Sequence, residues 1–231
     1  MRLEKPVGEI RCAGHIERDL HARGYRAVAG VDEAGRGSLF GPVFAAAVIL
    51  DAARPVRGLD DSKLLEPGRR DTLAGRIRDR AAAWAVAAVD AAAIDRINIY
   101  QASRLAMRRA VAQLTPLPDF LILDAMFIDF PIAQRALIQG DARCHAIAAA
   151  SILAKVSRDE CMREWDKVYP QYGLAGHKGY GTPEHSAALA QFGPSPLHRQ
   201  SFQPVRSCLL FPLDSDEQMD LFEETAGISC H

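Results

Sequence analysis

Apolar residues recur along this chain with two different periods. Short runs rich in small and branched residues occupy 26–31, 43–50, 84–89 and 120–123, with a weaker run at 135–138. Each is bounded by charge, glycine or proline, the pattern of strands buried in a sheet. A short polar stretch over 16–24 and longer stretches over 67–82, 95–114 and 146–167 predict helices, with apolar residues at helical spacing in 95–114. Pro116 stands just beyond the third of these and marks its end. Strands that alternate with helices predict an α/β sheet flanked by helices. Glycines, prolines and an amphipathic stretch fill 170–206, and residues 212–231 read as a tail.

The predicted strands end in an unusual way. The first runs into Asp32-Glu33 and then Ala34-Gly35-Arg36-Gly37, and Phe120-Leu121-Ile122-Leu123 stops at Asp124. A strand buried on both faces should not finish in charges that lack partners. Acids in that position call for a cation. Gly140-Asp141 adds a third carboxylate position where the long Ala-rich helix begins. Ligands gather at the C-terminal ends of strands in α/β sheets, so Asp32, Glu33, Asp124 and Asp141 are candidates for one shared site. Hard divalent cations such as Mg²⁺ or Mn²⁺ take oxygen donors of this kind. Gly35 and Gly37 let backbone amides approach something bulky, and Arg36 between them suits a phosphate. A P-loop would need Gly-Lys-Ser/Thr and a following helix, whereas Pro42 and a strand-like run follow here. The spacing of Gly35, Gly37 and Gly41 also misses the dinucleotide fingerprint.

Composition narrows the class further. A length of 231 residues suits one large domain or a domain with an appendage. No apolar stretch has the length of a bilayer span and the N-terminus lacks a signal-like block, so a cytoplasmic, membrane-free protein is expected. The five cysteines, Cys12, Cys144, Cys161, Cys208 and Cys230, show neither Cys-x-x-Cys nor zinc spacing, consistent with reduced thiols. The first 211 residues hold all 28 lysines and arginines with 23 of the 29 acids, a balance of +5. The last 20 hold six acids and no base. A mildly basic body is compatible with a polyanionic substrate.

These segments, taken in order, carry a resemblance. Gly-Val-Asp-Glu-Ala-Gly-Arg-Gly (30–37), Gly-Pro-Val (41–43), Asp-Ser-Lys (61–63), Leu-Asp (123–124) and Gly-Asp (140–141) come first. Ala-Ala-Ala-Ser-Ile-Leu-Ala-Lys-Val (148–156), His-Lys-Gly-Tyr-Gly-Thr-Pro-Glu-His (177–185) and His-Arg-Gln-Ser-Phe (198–202) complete the series. The chain resembles the type 2 ribonucleases H (RNase HII) from about residue 24 to 205. The Gly-Arg-Gly form and the absence of a large N-terminal extension look more like HII than HIII.

The resemblance implies an RNase H-like fold: a mixed five-stranded sheet flanked by helices over 21–211, ending in a C-terminal helical part. Residues 1–20, on which the resemblance is silent, read as an N-terminal extension. It implies endonucleolytic cleavage of the RNA strand of RNA–DNA hybrids and at single ribonucleotides embedded in duplex DNA. Two-metal hydrolysis would leave 5′-phosphate and 3′-hydroxyl ends, with roles in ribonucleotide excision repair and primer removal. Carried over by motif, Asp32, Glu33, Asp124 and Asp141 are the active-site acids, the first three holding Mn²⁺ or Mg²⁺ and the fourth more variable in role. The backbone of Gly35-Arg36-Gly37 would sense the ribose 2′-OH, Tyr180 would stack on the sugar after the ribonucleotide, and Lys63, Arg36 and Arg199 would contact phosphates. Ser151 reads as packing or capping, Asp159 as a substitute for Asp141, and His177, His185 and His198 as loop-stabilising. Two positions depart from the family pattern: Gln139 stands where lysine is commoner, and Ala125 where glycine is.

In the tail, Gln218-Met219-Asp220-Leu221-Phe222 looks like the peptide by which bacterial repair proteins dock on the sliding clamp, with Leu221 and Phe222 filling an apolar pocket and Gln218 at its rim. The rival to a nuclease is a non-catalytic hybrid-binding or clamp-bound adaptor that keeps the fold. The presence of all four acids argues against it.

Overall fold

The computed structural model describes residues 3, 12, 14–59, 62 and 65–210. Lys63 and the tail residues Gln218, Leu221 and Phe222 lie outside the described residues. The chain divides into two compact units, Met1–Arg36 with Pro42–Glu160, and Gly37–Gly41 with Cys161–His231.

The first unit is built on a mixed five-stranded sheet in the order β3-β2-β1-β4-β5. Its strands are β1 (Val28–Ala34), β2 (Val43–Ile49), β3 (Ala83–Val89), β4 (Phe120–Asp124) and β5 (Ala133–Leu137). β2 runs antiparallel to β1 and β3, whereas β4 pairs in parallel with both β1 and β5. β1 is therefore central and buried on both faces. The run Ala45-Ala46-Ala47 in β2 is fully buried, and side chains this small let helices come close on either side. α3 (Ala91–Ala112) packs across β1, β2 and β3. The other core clusters join Leu73, Ala74 and Ile77 of α2 (Pro67–Arg80) to β2 and α4 (His145–Val168), and Ile16 and Leu20 of α1 (His15–Ala22) to β1, β4 and the start of α4.

The expected helix over 95–114 differs in detail. α3 starts at Ala91, where Asp90 accepts a hydrogen bond from the Ala93 amide at 2.7 Å, and it breaks at Asn98 (φ 64°, ψ 162°). The Asn98 side chain then accepts from the Gln101 amide at 3.1 Å, restarting the helix as an N-cap does.

The second unit gathers the last turns of α4, the short helices α5 (Leu174–His177), α6 (Pro183–Phe192) and α7 (Gln203–Leu210), and the segment 37–41. Its core holds Leu39, Phe40, Met162, Tyr172, Leu174, Leu189 and Val205. Ser38 and Phe40 form antiparallel bridges to Tyr180 and His198.

Candidate metal centre

Strand register places the first pair of acids. β1 and β4 pair in parallel up to Val31–Leu123, so the next level of the same ladder holds Asp32 and Asp124. Paired residues of neighbouring parallel strands project to one face, with the strands about 4.8 Å apart. β1 then lies against the start of α4. A Cβ on Gly30 would overlap the backbone of Ala146 and Ile147, so glycine is what allows this approach. Two residues along a strand advance about 6.6 Å, and four to five along a helix about 6–7.5 Å. The Gly30 contact therefore brings Asp32 level with Ser151 on α4. The Ser151 side chain hydrogen-bonds Asp32, and the two are 5% exposed each. A role as mere packing for Ser151 is thereby corrected.

The remaining acids close around this pair. Asp124 Oδ1 accepts from the Gly140 amide at 2.7 Å, which ties the end of β4 to the turn that carries Asp141. Asp141 is buried and accepts from the Ala142 amide at 3.0 Å. Burial holds the Asp32 carboxyl well above the usual carboxylate range. The charges of Glu33 and Asp124 push it further, the Ser151 hydrogen bond opposes the rise, and Asp141 adds to it. Burial also raises Glu33, against the pull of Arg36, with Asp124 adding to the rise. Arg36 Nη1 lies 3.2 Å from Glu33 Oε1, while Glu33 Oε2 is buried with no hydrogen-bond partner.

Among the described residues, no group of three or more His, Cys, Asp or Glu side chains is arranged to hold a metal ion as it stands. The donors instead line a site in which Asp32 feels the charge of three other acids. An all-oxygen donor set, an orphaned carboxylate oxygen and mutual repulsion among acids together fit a hard divalent cation.

Other expected residues fall as follows. Gly35 (φ 92°) packs against the fully buried Arg158, whose side chain a Cβ would overlap. Its bulky neighbour is thus a protein group that the sequence did not reveal. In the second unit Gly37 lies beside the Tyr180 ring, where a Cβ would be 4.0 Å from Cε1. Tyr180 is 36% exposed. Arg199 is a correction: it is fully buried, donates from Nε to the Gly41 carbonyl at 2.9 Å and sits over the Phe202 ring, so it braces the fold and is not placed to meet a phosphate. Asp159 does not substitute for Asp141, since Lys155 holds both of its oxygens at 2.5 Å and it is not among the acids acting on Asp32. His185 and His198 are buried and share a hydrogen bond between their Nε2 atoms at 3.1 Å, and His177 stacks on His185. These contacts fit the loop-stabilising reading.

Glu17 was not anticipated. Its Oε1 accepts from the Ala146 amide at 2.9 Å and from Cys144 Sγ at 3.2 Å. A carboxylate there satisfies a free amide at the N-terminus of α4 and complements the helix dipole.

Comparison with known proteins agrees with the fold. The family profile of Ribonuclease HII matches residues 29–205. Ribonuclease HII of Solibacter usitatus is 68% identical over 220 residues, covering 95% of this chain and 96% of that protein. Ribonuclease H2 from Pyrococcus horikoshii superposes with a TM-score of 0.68 at 26% identity, over 79% of this chain and 96% of that one. RNase HII from Archaeoglobus fulgidus, solved in complex with PCNA, gives 0.66 at 25% identity over 77% and 95%. The five-stranded RNase H-like fold and the matches over most of the chain thus have one explanation: the chain belongs to the ribonuclease HII family, endonucleases that hydrolyse the RNA strand of RNA–DNA hybrids.

Proposed function

We propose that Asp32, Glu33 and Asp124 hold divalent metal, Mg²⁺ or Mn²⁺, and that Asp141 completes the acidic site. The observation that carries this reading is Asp32, a buried carboxyl crowded by Glu33, Asp124 and Asp141, with Glu33 Oε2 left without a partner. Buried anions at this density are costly until a cation is among them. When bound, two such ions supply an activated water and neutralise the leaving 3′ oxygen of a phosphodiester.

The chain's own groups do the rest. Ser151 and the Glu33 amide, the latter 2.7 Å from Asp32 Oδ1, fix the Asp32 carboxylate. The Gly140 amide fixes Asp124. Arg36, with its side chain 44% exposed, pairs with Glu33 and reaches toward solvent, where a phosphate of the substrate would meet it. Gly35-Arg36-Gly37 supplies backbone for the ribose 2′-OH, the group that separates RNA from DNA. Tyr180, beside Gly37, stacks on the sugar that follows the ribonucleotide, and Lys63 contacts phosphate. The substrates are RNA–DNA hybrids and duplex DNA carrying single ribonucleotides, which places the enzyme in ribonucleotide excision repair and primer removal in the cytoplasm. Among the described residues no helix is long and apolar enough to cross a membrane. Gln218, Leu221 and Phe222 dock the tail on a sliding clamp; the relative solved with PCNA is a precedent for such a partner.

The test is to incubate the protein with a long hybrid and with a duplex containing one ribonucleotide, in Mg²⁺, Mn²⁺ or EDTA. Both substrates should be cut only with metal, leaving 5′-phosphate ends, and Tyr180→Ala should lose more on the single ribonucleotide. Cleavage that survives EDTA, or no cleavage of either substrate, would overturn the reading.

A further inference from the structure

The Ser151 hydroxyl has one proton. As a metal ligand Asp32 is ionised and can only accept, so in that state the Ser151 proton is given to it across their hydrogen bond. Ser151 Oγ also lies 2.9 Å from Ser62 Oγ. With the Ser151 proton already committed, Ser62 must be the donor of that second bond. The direction of the chain is thereby fixed: Ser62 donates to Ser151, and Ser151 donates to Asp32. All three side chains are buried, Ser62 at 3% exposure, so water does not readily substitute for a missing link. Ser62 is itself held, since its carbonyl accepts from Arg70 Nη1 at 3.1 Å. Arg70 stands 3.9 Å from Asp159, the carboxylate gripped by Lys155.

We propose that Ser62 is a positioning residue for the metal-binding carboxylate Asp32, acting through Ser151. This role rests on Asp32 being a metal ligand. Without Ser62, the Ser151 oxygen loses a buried donor that helps fix its rotamer, and its O–H is aimed less firmly at Asp32. Asp32 then holds its orientation less well, and metal affinity falls. The roles of Lys155 and Asp159 follow from the same network. They anchor Arg70, and Arg70 anchors the backbone at Ser62, so the ion pair on α4 acts at a distance from the metal without touching it.

The experiment is Mn²⁺ titration by calorimetry on the full-length protein and on Ser62→Ala, Ser62→Thr, Ser151→Ala, the double alanine variant and Asp32→Asn, with steady-state cleavage alongside. Loss of an outer hydrogen-bond partner typically weakens metal binding about 10-fold or more. Ser62→Ala should weaken Mn²⁺ binding by roughly that factor, raise the metal concentration for half-maximal turnover in parallel, and leave KM for the hybrid unchanged. Ser62→Thr, which keeps the hydroxyl, should restore affinity. The double variant should be no weaker than Ser151→Ala alone, because both changes break one chain. Unchanged Mn²⁺ affinity in Ser62→Ala, additive losses in the double variant, or a change confined to KM would each overturn the proposal. If Asp32→Asn leaves Mn²⁺ binding intact, the assignment of Asp32 as a ligand fails. If Asp32→Asn weakens binding and Ser62→Ala does not, only the relay fails.

Discussion

Replacing Gly30 with alanine probes how β1 is seated against α4. A Cβ there would stand 2.1 Å from the Ala146 carbonyl carbon and 2.3 Å from both the Ala146 oxygen and the Ile147 nitrogen. Nonbonded carbon settles at about 3.5 Å or more, so strand and helix would have to part by more than about 1 Å. All three obstacles are backbone atoms, and no rotamer change relieves them. Overpacking costs about 1–3 kcal/mol where side chains can yield, and backbone against backbone belongs at the top of that range. At about 2–4 °C per kcal/mol for a chain of this size, Tm should fall by roughly 6–12 °C. Turnover should fall too, because Asp32 and Ser151 meet across the same interface. Gly75→Ala is the control. Gly75 is exposed in α2 and has nothing within 4 Å of its added Cβ, so alanine should raise stability by about 0.8–1 kcal/mol. Scanning calorimetry of both variants is the assay. A Gly30→Ala protein that melts within about 2 °C of its parent would refute the close β1–α4 contact on which the site's geometry rests.

Three other perturbations give definite outcomes. Asp32→Asn should abolish cleavage yet raise the Tm of the metal-free protein at neutral pH: the folded state holds Asp32 well above its ordinary pKa, so its charge opposes folding at any pH above that range. An unchanged or lower Tm in EDTA would contradict this. Burial lowers His185 to about 4 and His198 to about 3, while the same rings in the unfolded chain protonate near 6.5. The unfolded state therefore binds more protons between those limits, and the pair's contribution to stability, intact above about pH 6.5, is lost as the pH falls. Their NMR ring signals should stay flat from pH 8 to 5, and a midpoint near 6.5 would be the contrary result. Ala125→Gly should stabilise by about 0.5–1 kcal/mol, because Ala125 is exposed at φ 47° in the left-handed region. Urea denaturation reads the change, and a loss of stability would count against the assigned backbone.

The sequence carried the acids because a buried strand that ends in charge is a conflict visible in one dimension. Asp32 and Asp124 could be paired in advance for that reason, and the helices and strands followed from their periods. Ser151 could not. In an Ala-rich helix a serine looks like a small packing residue, and only the Gly30 contact reveals that it faces Asp32. Glu17 was hidden for a similar reason, since its partner Ala146 lies 129 positions away. Arg199 misled because an arginine's burial depends on tertiary packing and leaves no mark in its immediate neighbours. The break in α3 was missed because Asn98 sits inside an otherwise helical pattern, and an asparagine that recaps a helix reads locally as one polar position. Departures from the family pattern were better guides. Ala125 and Gln139, each noted as a residue change, both have positive φ, 47° and 55°, which explains why glycine suits the first.

The central claim is that four converging carboxylates form the metal centre that makes the cut. Single-turnover cleavage of an end-labelled RNA–DNA hybrid by Asp124→Asn at saturating Mg²⁺ tests it most directly, with hybrid affinity measured on the same sample. The substitution keeps the side chain's volume and removes one anionic donor. Metal stabilisation of several kcal/mol in the transition state corresponds to a rate loss of about 10³-fold. Hybrid binding, dominated by phosphate contacts, should change little. A variant that binds hybrid normally and cuts at least about 10³-fold more slowly bears out the account, and near-normal cleavage by Asp124→Asn would contradict it.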